Sequence, residues 1–214
     1  MKITGAIFDF DGTLFDSMQI WRGIKERYFD YHGLVLTAQD EEVFAGLRLQ
    51  EVLALANERF GMGMTSQELF ADFFGFIEQC YMAEATPKND IVAFLEKLQA
   101  RGVKMGIATA TSEGALRPLL EKYGMLGYFS EILSVYTVGS AKTEPKVYDA
   151  VLDSLGTEKE TTWVFEDALY AAKTAKEGGY NLVGIYDPTE SDADGLKAIS
   201  DVYIHNYSEI DLDS

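Results

Sequence analysis

Two aspartates one residue apart are the feature of this sequence best suited to chemistry. Asp9 and Asp11 follow the apolar run 3–8, and Gly12 comes directly after them. In a strand, residues i and i+2 point to the same side, so the two carboxylates can converge on one point. The glycine lets the backbone turn sharply and come close to a ligand. Such a pair suits a hard cation or a proton-transfer partnership.

Other polar residues follow later apolar runs of the chain. Each of them follows a predicted strand, and in open parallel sheets ligands bind outside the carboxyl ends of the strands. We therefore predict one site that combines carboxylates, a hydroxyl group and an ammonium group. The residues that join the aspartate pair in this prediction are Thr109, Lys142, Glu166 and Asp167.

Four of these side chains would bring like charges together. Two unit charges roughly 4 Å apart repel by about 4 kcal/mol at an effective dielectric constant near 20, so the cluster needs protons or a cation. Oxygen ligands favour Mg²⁺. Zinc is disfavoured because the two histidines and one cysteine of the chain show no ligand spacing. The predicted Mg²⁺ site contains Asp9, Asp11, Glu166 and Asp167.

The elements that position these residues alternate in the second part of the chain. Strands are predicted at 3–8, 103–108, 132–135, 163–165, 182–186 and 202–204, with helices at 90–98, 116–123, 145–155 and 168–177. This order predicts an α/β fold: a Rossmann-like parallel sheet with helices on both faces. Residues from about 16 to 85 show helical spacing only, and Thr65 and Glu68 form a capping box there. We predict a core domain of residues 1–15 and 88–214, with an inserted all-helical domain at 16–87.

Composition limits the partners of the protein. The chain has 214 residues and a net charge of -17, which argues against nucleic acid or an anionic membrane as a partner. Its single cysteine cannot form an intrachain disulfide, which fits the reducing cytoplasm. No apolar run is long enough for a membrane span, and the start shows no signal peptide. We expect a cytoplasmic monomer.

Four segments of the sequence together resemble the motifs of the haloacid dehalogenase-like superfamily. They occur in the order of the family: 9–17 reads DFDGTLFDS, 106–111 reads GIATAT, 142–148 reads KTEPKVY and 165–168 reads FEDA. The helical insert after the first motif resembles the cap of the branch that contains beta-phosphoglucomutase and phosphoglycolate phosphatase. Three positions depart from the family pattern, since Ala141 and Thr143 replace the glycine and the proline of the third motif and Ala168 replaces the serine of the fourth.

The resemblance implies a role for each matching residue. Asp9 would be the nucleophile that accepts the phosphoryl group, and Asp11 would protonate the leaving oxygen and then deprotonate water. The main-chain carbonyl of Asp11 and the side chain of Asp167 would bind Mg²⁺, with Glu166 close by. Further roles fall to residues around the phosphoryl group: Thr109 and the Ala110 amide would hold its oxygens, and Lys142 would neutralise its charge.

Three functions follow from these expectations. The first is an Mg²⁺-dependent phosphatase acting on a small phosphorylated metabolite that resembles a sugar phosphate. The second is a phosphomutase of the beta-phosphoglucomutase type, for which Arg48 is the candidate substrate contact, although the mutase arginine aligns with Leu49. The third is a non-catalytic binding module that kept the fold.

Simpler interpretations apply to several of these features. A calcium loop of the EF-hand type is disfavoured, because Gly12 is at the fourth position rather than the sixth and no glutamate follows at the twelfth. Basic residues of the insert are expected on solvated helix faces, with a contact of one of them with the substrate as the alternative: Arg22, Lys25, Arg27 and Arg48. Aromatic residues of the insert are expected in its core, with a surface for the substrate as the alternative: Trp21, Phe73, Phe74 and Phe76.

Overall fold

A six-stranded parallel sheet forms the centre of the protein. The computed structural model describes residues 2–213. The strands in this part of the chain are β1 (Gly5–Phe8), β2 (Phe15–Asp16), β3 (Thr86–Pro87), β4 (Lys104–Thr109), β5 (Glu131–Ser134), β6 (Thr162–Glu166), β7 (Asn181–Ile185) and β8 (Val202–Ile204). The strand order in the six-stranded sheet is β5-β4-β1-β6-β7-β8. The predicted strands are all present, with ends that differ by a few residues.

Helices cover both faces of this sheet, as predicted. Ile7 and Phe8 are neighbours on β1, yet they belong to two different apolar clusters, because successive strand residues point to opposite faces. The helices of the second part of the chain are α6 (Ile91–Ala100), α7 (Glu113–Lys122), α8 (Val135–Val138), α9 (Lys146–Leu155), α10 (Leu169–Glu177) and α11 (Ala193–Ile199). Helices α6 and α7 pack on the side of Phe8, and helices α9, α10 and α11 pack on the side of Ile7.

Five helices between β2 and β3 form the segment that we call the helical insert. It runs from Met18 to Glu84, and the predicted capping box at Thr65 opens its longest helix. None of the helices among residues 2–213 is long and apolar enough to cross a bilayer. The insert contains α1 (Met18–Trp21), α2 (Ile24–Tyr31), α3 (Ala38–Phe44), α4 (Leu49–Phe60) and α5 (Ser66–Glu84).

The two ends of the helical insert are tied together by a short antiparallel ladder. Phe15 pairs with Pro87, and Asp16 pairs with Thr86. The sequence pattern predicted only helices from residue 16 to 85, because a two-residue strand is too short to show a period. We propose that this ladder marks the boundary between the predicted core and insert domains.

Candidate active site

The predicted site residues lie at the carboxyl ends of neighbouring strands. Asp9 follows β1, Thr109 ends β4, and Glu166 ends β6 with Asp167 next to it. Most of them line a cavity of about 240 Å³ that also receives side chains from the helical insert. The lining residues are Asp9, Asp11, Met18, Trp21, Leu49, Ala110, Thr111, Tyr136, Lys142, Glu166, Asp167, Ala168 and Tyr170.

Three carboxylates of this cavity form a compact acidic trio. Asp9, Glu166 and Asp167 each offer an oxygen, and these oxygens lie within 4.8 Å of one another. All three residues are buried. The ammonium group of Lys142 donates to Oδ1 of Asp9 and, at 2.6 Å, to Oε1 of Glu166. A buried lysine thus neutralises part of the acidic charge.

Burial is the largest single influence on the pKa values of Asp9, Asp167 and Lys142. It raises the pKa of Asp9 from 3.8 to about 7, with Lys142 acting in the opposite direction. Burial and the charges of Asp9 and Glu166 raise the pKa of Asp167 well above its ordinary value. Burial alone would lower the pKa of Lys142, but the carboxylates of Asp9 and Glu166 raise it above its ordinary value. The lysine therefore stays charged, and the trio favours a further positive charge.

The trio fits a divalent cation in charge and in chemistry. Among the residues described, Oε2 of Glu166 is buried and has no hydrogen-bond partner, whereas Oε1 accepts bonds from Lys142 and from Tyr148 at 2.7 Å. An unpartnered buried carboxylate oxygen is costly unless a ligand satisfies it. A set of carboxylate oxygens suits Mg²⁺. The side chain of Asp11 lies outside this trio, so only its main-chain carbonyl remains a predicted ligand.

Asp167 is held by the first motif. The Thr13 hydroxyl donates to its Oδ1 at 3.0 Å. Gly12 adopts φ +80°, and a Cβ atom there would lie 2.1 Å from Oδ2 of Asp167. Thr13 therefore supplies Asp167 with a hydroxyl contact although Ala168 replaces the serine of the fourth motif. Thr13 was not among the predicted site residues, although it lies within the quoted segment 9–17.

The carboxylate of Asp11 is bound by hydroxyl groups from three segments. Ser17 and Tyr81 donate to its Oδ1 at 2.7 and 2.6 Å, and Thr111 donates to its Oδ2 at 2.8 Å. Burial and the Asp11 carboxylate raise the pKa of Tyr81 well above its ordinary value, so its hydroxyl keeps the proton that it donates. Tyr81 belongs to α5 of the helical insert. Asp9 and Asp11 thus have different partners, an ammonium group for one and hydroxyl groups for the other.

The remaining predicted site residues differ in their access to the cavity. Ala110 is exposed and lines it, whereas Thr109 is fully buried and accepts a hydrogen bond from the Thr111 amide at 3.0 Å.

Arg48 is exposed, and its amide donates to Glu51 at the start of α4, while its neighbour Leu49 lines the cavity. The substrate-binding roles of these residues stay predictions, and that of Arg48 gains no support from the lining.

Aromatic residues of the insert fall into two groups. Phe73, Phe74 and Phe76 are buried in its core as expected. Trp21 differs, because it is only partly buried and lines the cavity. Trp21 also packs against the hydrophobic core, so the core position agrees with part of its surface, and a contact of Trp21 with substrate stays a prediction.

Mg²⁺ is expected to raise the melting temperature of the protein more at about pH 8 than at about pH 5.5. A raised carboxyl pKa means that the folded state binds protons more tightly than the unfolded chain. The contribution of Asp9 and Asp167 to stability therefore falls as the pH rises from the unfolded value of 3.8 towards the folded value, which is about 7 for Asp9. A cation that takes the place of these protons restores the stability that is lost as the pH rises.

Differential scanning fluorimetry with MgCl₂ measures this effect, and KCl at equal ionic strength is the control. Each kcal/mol corresponds to about 2–4 °C for a chain of this size. Equal shifts at both pH values, or an equal shift with KCl, would contradict a cation site in the trio.

The family profile of the haloacid dehalogenase-like hydrolases matches residues 6–185, so the chain belongs to this family. It is 28% identical over 205 residues to validoxylamine A 7'-phosphate phosphatase of Streptomyces hygroscopicus subsp. limoneus, covering 96% of this chain and 94% of the relative. It is 29% identical over 188 residues to phosphoglycolate phosphatase of Rhodospirillum rubrum, covering 83% and 77%. Both relatives are phosphatases, which supports the predicted enzyme class.

The fold also matches solved structures of this branch. The crystal structure of CbbY from Rhodobacter sphaeroides in complex with phosphate aligns with a TM-score of 0.72 at 18% identity, covering 97% of this chain and 96% of that one. At this identity the likeness shows the fold. The predicted family and the predicted Rossmann-like fold with a helical insert are therefore confirmed.

Proposed function

We propose that the protein is an Mg²⁺-dependent phosphatase that hydrolyses a small phosphorylated metabolite through an aspartyl phosphate. One observation carries the proposal: a buried lysine and an acidic trio surround Asp9, while hydroxyl groups hold Asp11 at the same cavity. This arrangement provides a nucleophile, a positive charge for the phosphoryl group and a separate proton carrier. The relatives named as phosphatases support the same class.

Two displacements at phosphorus complete the proposed reaction. A carboxylate oxygen of Asp9 forms a bond to phosphorus as the bond to the leaving oxygen breaks, and Asp11 gives that oxygen its proton. Asp11 then takes a proton from water, whose oxygen attacks the phosphorus and frees Asp9. Lys142 stabilises the negative charge of the phosphoryl oxygens in both steps. Mg²⁺, held by Asp9, Glu166 and Asp167, would supply further neutralisation.

The other two predicted functions have less support. A mutase needs a second binding site for a phosphate group, and the described lining contains no cation other than Lys142. A non-catalytic module would not need a buried lysine that is paired with an aspartate of raised pKa. The monomeric state and the cytoplasmic location stay predictions.

Phosphate release tests the proposal directly. The protein with MgCl₂ is expected to release inorganic phosphate from small phosphate esters and from p-nitrophenyl phosphate, and EDTA should abolish the release. Restoration by MgCl₂ after EDTA treatment is the control for irreversible damage. Silence towards every ester, or release that EDTA leaves unchanged, would contradict the proposed function.

A further inference from the structure

The charges around the cavity are strongly one-sided. Lys142 is the single basic residue in the lining that the structure describes, and its ammonium group is already paired with Asp9 and Glu166. The lining also contains the carboxylates of Asp11 and Asp167. Even with one divalent cation bound, the four carboxylates and the one ammonium group of this set carry no net positive charge, so none is left for a second anionic group of the substrate.

Basic residues of the helical insert do not fill this gap. Arg27 forms an ion pair with Glu84, and Arg59 forms one with Asp40. Arg22, Lys25 and Arg48 are also absent from the lining, and Lys25 borders a different cavity.

The insert instead contributes an apolar surface to the cavity. Its lining residues are Met18, Trp21 and Leu49, all partly buried. Tyr136 of α8 joins them, and its ring contacts Phe70 of α5 with a centroid distance of 4.8 Å. This contact joins α5 of the insert to α8 and holds the Tyr136 ring at one side of the cavity. We call Met18, Trp21, Leu49 and Tyr136 the apolar wall.

The size of the cavity limits what can lie against this wall. Its volume of about 240 Å³ is below the roughly 300–1,000 Å³ typical of sites for drug-sized ligands. A phosphate group and an alcohol of about one ring would fill it.

We propose that the substrate is a phosphomonoester whose phosphate is its single anionic group, and whose uncharged alcohol part presents an apolar face to the apolar wall. The inference rests on the proposed phosphatase function and narrows its substrate class. A second phosphate or a carboxylate on the alcohol part would lose its hydration against apolar side chains, and the described lining has no unpaired cation to bind it. Bisphosphates and phosphorylated carboxylic acids are thereby disfavoured.

Matched pairs of esters test this proposal. Benzyl phosphate and 4-carboxybenzyl phosphate share the same leaving oxygen and ring and differ in one carboxylate. With MgCl₂ present, kcat/KM for benzyl phosphate is expected to be at least about tenfold higher, mainly through a lower KM. A second pair, glucose 1-phosphate and glucose 1,6-bisphosphate, is expected to show the same direction.

The outcomes separate this proposal from the proposed function. Phosphate release from p-nitrophenyl phosphate together with equal or better use of the carboxylated ester overturns the substrate class alone. Silence towards all esters, p-nitrophenyl phosphate included, overturns the proposed function and the substrate class with it.

A charge introduced into the apolar wall gives an independent test. Leu49→Arg is expected to raise kcat/KM for 4-carboxybenzyl phosphate at least about tenfold and to lower it for benzyl phosphate. Leu49→Met keeps the wall apolar and should keep the preference of the wild-type protein. Ala54→Arg adds the same charge to the exposed face of α4 and should give no gain for the carboxylated ester. Equal gains in Leu49→Arg and Ala54→Arg would overturn the role of the wall.

Discussion

Asp9→Asn is expected to release phosphate at least about a thousandfold more slowly than the wild-type protein, because an amide cannot replace a carboxylate as the nucleophile. The substitution also removes one member of the acidic trio and one of the two carboxylate partners of Lys142. Glu166 remains paired with Lys142, so the fold should persist. Phosphate release measures the loss, and acid-quenched protein incubated with labelled substrate should show no phosphorylated aspartate.

An exposed carboxylate provides the matched control. Asp153→Asn makes the same change of charge in α9, at an exposed position outside the cavity lining. Its rate should stay within about twofold of the wild-type rate, since surface substitutions have small effects. A phosphorylated aspartate in Asp9→Asn protein, or comparable losses in both variants, would contradict the assignment of Asp9.

Gly12→Ala is expected to lower phosphate release at least about a hundredfold, because an added methyl group must displace the carboxylate of Asp167. The Cβ atom would lie 2.1 Å from Oδ2 of Asp167, and the same carboxylate is held on its other oxygen by Thr13. Displacement within a buried site also removes one oxygen from the trio. Mg²⁺ affinity, measured by calorimetry or by the shift in melting temperature, should fall together with the rate.

The control for this change is another glycine with a positive φ angle. Gly102 has φ +72°, and a Cβ atom added there would meet no heavy atom within 4 Å, so Gly102→Ala carries the backbone cost without the collision. That cost is about 1–2 kcal/mol for a left-handed residue. Gly102→Ala should therefore lose stability but keep its affinity for Mg²⁺. Unchanged Mg²⁺ affinity in Gly12→Ala would show that Asp167 does not depend on the close approach.

Strand ends made much of the site predictable from the sequence. In a parallel sheet, the residue after each apolar run lies at the same edge, so Asp9, Glu166 and Asp167 could be placed together without coordinates. Lys142 was harder, because a short helix and a loop separate it from β5. Its place after the predicted strand 132–135 still put it at the correct edge of the sheet.

Contacts made by the helical insert were beyond the reach of one sequence. Tyr81 is 70 residues away from Asp11 along the chain and lies within an apolar helix pattern. Nothing in that pattern indicates that its hydroxyl group binds a residue in the loop after β1. Arg48 and Leu49 show the same difficulty on a smaller scale. Arg48 precedes α4 and Leu49 is its first residue, so an error of one position exchanges an exposed side chain for one that lines the cavity.

The β2–β3 ladder has a consequence for how this protein could acquire new substrates. The two ends of the helical insert lie side by side, because the residues before and after it pair with each other. An insert with adjoining ends can be replaced without separating the strands of the sheet. Exchange of the helical insert between relatives would change the selectivity in one step, while Lys142 and the acidic trio stayed in place. Tyr81 sets one condition on such an exchange, because only an insert with its own hydroxyl donor would keep the three hydrogen bonds to Asp11.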